Sequence, residues 1–359
     1  MKGWISSVLA GALGLAGCGA QLKVDLDQAL GPLPGETPVP AANPMTPERV
    51  ALGRALFWDP LLSGNRDLAC ATCHHPAHAY ADGRALSVGV GGQGLGPDRT
   101  ANAGAPHLAR RNALTLLDTA YNGLGVRDPV PRPEDAPMFW DERVASLEAQ
   151  ALGPLANADE MRGTRLTEAE IFPELVKRLT ENEEYRSLFG QAFGPGPVTI
   201  ERAAMAIAAF ERTLVDRGTS FDRFLRGDDT ALDFAQKRGL TEFIKRGCAK
   251  CHSGPMLSDF RLHQLRPGAE GRVRTPSLRH VTSTAPYLHD GSRPTLGEVF
   301  DFYVDLDTTL DPDLDELDGP RDPGARSDLE AFLRSLGDGV FDRSIPSRVP
   351  SGLPPAGLR

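Results

Sequence analysis

After residue 18 no run of this 359-residue chain approaches the ~20 apolar positions that a membrane-spanning helix needs. A bilayer-crossing helix is excluded there. Lysine and arginine form no cluster and the net charge is −9, whereas counterion-driven binding to nucleic acid needs clustered basic side chains. No nucleic acid is expected as a partner. Cysteine is scarce: of the five, Cys18 stands alone, Cys70 and Cys73 form one pair, and Cys248 and Cys251 form another. Methionine is missing altogether after Met256. No run alternates polar and apolar residues convincingly enough for a strand, so the fold is expected to be all-α, and 38 Gly with 30 Pro make it loop-rich.

What is present divides the chain. Residues 1–18 (MKGWISSVLAGALGLAGC) hold a Lys, an apolar run too short to span a bilayer, and small residues, which is the pattern of a secretory signal. The ending Leu15-Ala16-Gly17-Cys18 resembles the bacterial lipobox, in which the Cys becomes the lipidated first residue of the mature chain. A periplasmic body held to a membrane only by its lipid anchor is expected. Residues 19–44, punctuated by Pro and Gly, read as a flexible tether, and residues 343–359 as a Pro-rich, disordered tail. Between them, Thr46 as a cap, Pro47 at the first helical position and Val50, Leu52 and Leu56 on one side predict a helix over 46–58. Further helices are expected at 142–155, 167–181, 200–216, 232–246 and 327–336.

Two pairs of cysteines are each followed at once by a histidine: Cys70-Ala71-Thr72-Cys73-His74 and Cys248-Ala249-Lys250-Cys251-His252. Two thioethers to haem vinyl groups and an imidazole to the iron are what this spacing provides. A four-Cys zinc site would bring its two pairs within about 15 to 20 residues and leaves the histidines unexplained. The motifs are too far apart for one small domain, so two c-type cytochrome-like haem domains are expected, 45–235 and 236–342. Two other patterns lack their context. Residues 89–94 (GVGGQG) match a dinucleotide loop but follow no strand and precede no helix. Residues 313–319 (DLDELDG) resemble a calcium loop, but Leu317 stands where an oxygen ligand belongs; an acidic surface turn is expected.

The ligand opposite His252 is narrowed by counting. Met256 can reach only about 14 Å along the chain and would have to pass round the edge of the macrocycle. With no later methionine, the candidates are His263, His280, His289, Tyr287 and Tyr303.

The strings LFWDPLLSGNRDLACATCHHPAHAYADGRALSVG, RNALTLLDTAYN, MFWDERVASLEAQALGPLANADEM, TPSLRHVTSTAPYLHDGSRPTLGEVFDFY and LEAFLRSL resemble, in order and spacing, the bacterial di-haem cytochrome c peroxidase/MauG family over residues 46–337. The resemblance implies that the haem on His74 reacts with hydrogen peroxide and that the haem on His252 relays electrons. It implies Trp140 as the link between them and Glu160 as the carboxyl of the peroxide pocket, where burial raises a pKa into the range suited to shuttling protons. Gln150 and Pro154 match positions around that pocket. A bound Ca²⁺ is implied, held by Asn112 and the carbonyls of Thr284 and Pro286, and Tyr303 is implied as the distal ligand of the second haem. An anionic oxygen there would stabilise oxidised iron and lower its reduction potential.

Two departures stand out. The histidines between His74 and Trp140 are His75, His78 and His107, none in the segment that caps the first haem in classical members, so an open first site is expected. Arg246 stands where MauG has a Trp for oxidising its protein substrate. The expected activity is peroxide reduction with electrons from an external donor such as a small c-type cytochrome. The alternatives are a MauG-like oxidase acting on a Trp or Tyr of a protein partner, and a multi-haem electron carrier with no catalysis.

Overall fold

The computed structural model describes residues 30–101, 108–125, 130–268, 271–315 and 317–356; the signal, Cys18 and His107 lie outside the described residues. Helix dominates, with two short antiparallel pairs, Gly92–Gln93 against Thr100–Ala101 and Leu262–Gln264 against Arg272–Arg274. These strands correct the expectation of none. At two or three residues each they are too short for alternation to register. Among the described residues no helix is long and apolar enough to cross a membrane.

Local chemistry accounts for most helix starts. Thr46 accepts from the Arg49 amide at the head of Pro47–Trp58, Ser146 from Ala149 at the head of Leu147–Ala156, and Thr199 from Arg202 at the head of Ile200–Glu211. Each satisfies an orphan donor of the first turn. The helix expected from residue 142 starts later because Glu142 is in the left-handed region, φ 56°, and Ser146 is the cap. The helices Glu183–Phe193, Ser220–Leu225 and Leu296–Val304 were not expected.

Two helix pairs organise the packing, and a glycine lets each close. A Cβ on Gly53 of Pro47–Trp58 would sit 1.8 Å from the Ala206 carbonyl oxygen, and one on Gly239 of Phe234–Lys245 would sit 1.9 Å from that of Asp328. The first pair buries Leu52, Leu56, Ala203 and Ile207 with Leu155 and Leu175. The second buries Phe243, Leu329, Phe332 and Leu333 with Phe221, Phe224 and Phe300. Full burial of each such side chain contributes about 1.5 to 3 kcal/mol. Phe221 and Phe224, assigned from sequence to the first domain, thus pack with the second half. Asp222 beside them forms a fully buried two-point ion pair with Arg279 at 2.8 and 3.0 Å.

Both ends of the body are corrected. Residues 30–44 pack: Leu33 is buried with Tyr121, Met256 and Phe260, and its amide donates to Asp222. Residues 343–356 return across the first half, where Ser351 donates to the buried Asp59 from its amide and its hydroxyl, and Arg348 pairs with Glu184. Val349 and Ala356 are buried there with Phe341. An extended Pro-rich strap needs only isolated pockets and acceptors, so it carries no periodic signal.

Candidate functional site

A one-turn helix, Cys70–Cys73, ends at His74, whose Nδ1 lies 2.9 Å from the Tyr80 carbonyl. A carbonyl only accepts, so Nδ1 donates and Nε2 keeps its lone pair. Burial holds His74 below the usual imidazole pKa, which favours the neutral ring. Cys70, Cys73 and His74 line a cavity with Trp140, Gln150, Pro154 and Glu160. His75 and His78 do not line it; His75 is buried edge-on to Trp58.

Glu160 lies just past Leu147–Ala156, the helix that carries Gln150 and Pro154. Its main chain is pinned by the Val90 amide, 2.9 Å from the Glu160 carbonyl, and its Oε1 accepts from Asn157 Nδ2 at 2.7 Å. Burial raises the carboxyl above its ordinary pKa, opposed by the Asn157 bond and the charge of Arg143. A carboxyl with a raised pKa is better suited to take and return a proton than an ordinary one.

The second cavity repeats the plan. Cys248, Cys251 and His252 line it, and His252 Nδ1 is 3.0 Å from the Leu257 carbonyl, again leaving Nε2 free. Tyr303, near the end of Leu296–Val304, lines the same cavity, and burial followed by the neighbouring Cys251 and Cys248 sulfurs raises its phenol pKa. Tyr287, His263 and His289 line it too. His280 is sealed elsewhere, 3.4 Å from Asp118 and 3.8 Å from Asp216. Met256 lines the first cavity, not the second.

Trp140 belongs to both walls, as do Asn112 and Arg274. It sits at the tip of a turn closed by the Met138 amide on the Val144 carbonyl, with Phe139 at φ 65°. From the second half Arg274 donates its amide to the Trp140 carbonyl at 2.8 Å and its Nε to Phe139 at 2.9 Å, while His289 meets the indole edge-on. The Asn112 Nδ2 donates to the Arg84 and Ala85 carbonyls, which turns Oδ1 the other way. Thr284 and Pro286 line the second cavity with Asn112.

Two free thiols and an imidazole with an available Nε2 at each cavity fit a covalently held haem in each. Sequence reading missed two groups. Arg274 is the charged residue common to both cavities, its pKa lowered to about 10 by burial; a lone Arg in RVRTPS carries no spacing signal. Glu211 lines the first cavity, buried and with Oε2 unpaired, and burial pushes it to about 8. An acid closing the apolar helix Ile200–Glu211 was the available clue.

The profile of the family described as di-haem cytochrome c peroxidase matches residues 47–230. The methylamine utilization protein MauG of Methylorubrum extorquens is 34% identical over 93% of this chain and 93% of its own. The cytochrome c551 peroxidase of Nitrosomonas europaea is 30% identical over 88% and 87%. A solved MauG-like protein associated with microbial copper homeostasis superposes with a TM-score of 0.68 at 28% identity, covering 85% of this chain and 95% of that one.

Proposed function

Because the chain belongs to the di-haem cytochrome c peroxidase family and is an oxidoreductase, we propose that it reduces hydrogen peroxide to water with electrons from a small c-type cytochrome. The observation that carries this reading is Glu160, a buried and proton-competent carboxyl lining the same cavity as Cys70, Cys73 and His74. Haem held at each CxxCH would supply the redox chemistry, with peroxide taken at the cavity of His74. The balance is one peroxide, two protons and two electrons to two waters. Glu160 takes the proton from one peroxide oxygen and returns it to the other as the O–O bond breaks, with Asn157 fixing its orientation. Gln150 and Pro154 shape the pocket around it.

Trp140 carries electrons between the sites, held in register by Asn112, Arg274 and His289. Tyr303, which lines the second cavity with His252, would help hold the second haem and disfavour its reduction. Asn112 Oδ1 and the Thr284 and Pro286 carbonyls, hard donors lining one cavity, would hold a Ca²⁺. The two halves act as c-type cytochrome-like domains, with Ser220–Leu225 counted in the second. The body lies in the periplasm, anchored through lipidated Cys18.

Tyr303 also favours a second reading, MauG-like oxidation of a Trp or Tyr on a protein partner. Against it, Arg246 is tied to Glu242 at 2.8 Å and Asp318 at 3.1 Å, which places ion pairs where that reading wants an oxidisable ring. Steady-state peroxide consumption with a reduced small c-type cytochrome separates the readings. Sustained turnover of two cytochromes per peroxide supports the first; a single turnover that stops until an oxidisable protein is added overturns it.

A further inference from the structure

His263 lies on the Leu262–Gln264 strand at the rim of the second cavity, and it is 96% buried by its side-chain exposure of 4%. Its Nε2 is 2.9 Å from Asp259 Oδ2, so that nitrogen donates and the ring is fixed. Its Nδ1 has no hydrogen-bond partner; burial lowers the ring's pKa, but Asp259 and Cys251 outweigh it and raise the pKa to about 10, so a cation at Nδ1 takes the place of a proton. That atom faces two carboxylates from the turn at Pro312–Leu314, at 3.6 Å from Asp311 Oδ2 and 3.7 Å from Asp313 Oδ2. The three atoms lie within 4.8 Å of one another.

These separations have a chemical meaning. Ligand atoms about 2.1 Å from a tetrahedral cation stand roughly 3.4 Å apart, close to the spacings here, whereas a direct N–H···O bond would draw the pair to about 2.9 Å. A carboxylate behind an imidazole, fixing its tautomer and raising its basicity, is the usual support of a metal-bound histidine. One nitrogen and two carboxylate oxygens suit a divalent transition cation better than Ca²⁺ or Mg²⁺, which take oxygen donors.

We propose that His263 Nδ1, Asp311 and Asp313 form a site for a divalent transition cation of the Zn²⁺ class, on the rim of the second cavity beside Cys251. The acids keep their other contacts: Asp311 Oδ2 also accepts from the Gln264 amide at 2.8 Å and its Oδ1 from the Asp313 amide at 3.0 Å. Arg261 holds Asp313 at 2.9 Å, but this guanidinium is half exposed and can turn into solvent, so it competes with the cation without blocking it. Binding ties the Pro312–Leu314 turn, whose Leu314 lines the second cavity, to the strand beneath. The site needs no assumption about peroxide.

The test uses the full haem-loaded chain, stripped of other metals and then saturated with Ca²⁺, so that Zn²⁺ taken up at Asn112 is not counted. Zn²⁺ is titrated by calorimetry and its content measured after dialysis. One Zn²⁺ per chain is expected, weakened tenfold or more by Asp311→Asn and by Asp313→Asn, and strengthened by Arg261→Gln, which removes the competitor. Asp313 is 43% exposed, so its variant folds even where a His263 substitution disturbs the interior. No saturable binding in wild type and Arg261→Gln, or binding indifferent to both Asp substitutions, overturns the site.

Discussion

The indole Nε1–H of Trp140 donates to the main-chain carbonyl of Asn112 across 2.9 Å, and this bond fixes the ring's orientation in the wall shared by the two cavities. Asn112 in turn takes its amide partner, the His289 carbonyl, from the second half at 2.9 Å. The ring is therefore oriented by both halves of the chain.

Trp140→Phe keeps the apolar packing and loses that bond, a cost of about 1 kcal/mol. Both haems are expected to remain attached, while electron exchange between the sites slows. Stopped-flow absorbance after peroxide addition reads it: the first site responds as in wild type and the second lags. Equal rates at both sites would make Trp140 a packing residue.

Glu160→Gln is expected to slow the reaction with peroxide by about 10² to 10⁴-fold, the usual worth of a positioned acid/base, with haem content unchanged. Burial raises the Glu160 pKa, so its base form is present above that raised value and lost as pH falls through it. The acid limb of the wild-type rate profile should lie above the ordinary carboxylate range. In the variant that limb should vanish.

The parts of the fold that were legible in the sequence were those with a local signature. Thr46 and Pro47 mark a helix start whatever packs on it, and a CxxCH carries its chemistry in five residues. The cavities were legible only through the resemblance, because contacts that no spacing encodes bring Glu160 to the cavity of His74, Tyr303 to that of His252, and Trp140 to both. Met256 follows His252 closely yet lines the other cavity, within a turn closed by the Leu257 amide on the Gly254 carbonyl. The acidic run at 313–319 is the exposed turn its composition suggests, with Asp313, Asp315 and Asp318 exposed; that Asp313, with Asp311 just before the run, also faces the buried His263 carried no spacing signal. The packed ends were illegible for another reason: Leu33 and Ser351 each fill one pocket or meet one acceptor, and single contacts have no period.

Chelating Ca²⁺ is expected to shift the absorbance of both haems and lower activity, because Asn112 comes from one half and Thr284 and Pro286 from the other. Asn112→Ala should reproduce the chelated spectrum and be blind to added Ca²⁺. A wild-type spectrum that does not move after verified calcium loss would remove the bridge.

Tyr303→Met replaces an oxygen by a thioether and is expected to raise the reduction potential of the second haem. His252, Cys248 and Cys251 keep that haem attached. A redox titration with ferric spectra is the measurement. If neither changes, Tyr303 only packs in the cavity, and His289 and Tyr287, which share it, become the ligands to test.

The C-terminal strap bears on the first site through Tyr80. The Tyr80 carbonyl receives His74 Nδ1, while its hydroxyl donates to the Asp342 carbonyl at 2.8 Å and its ring meets Phe341. Asp59, fully buried, accepts from Ser351 and from the Tyr185 hydroxyl at 2.7 Å. Ser351→Ala removes one bond to that carboxylate and is expected to cost about 1 to 3 kcal/mol. Truncation after Val340 removes Phe341 and the Asp342 acceptor as well. It should lower the thermal midpoint further and disturb the haem spectrum at His74 more than that at His252. A truncated chain with the wild-type midpoint and an unchanged first-site spectrum would return residues 341–356 to the status of a loose tail.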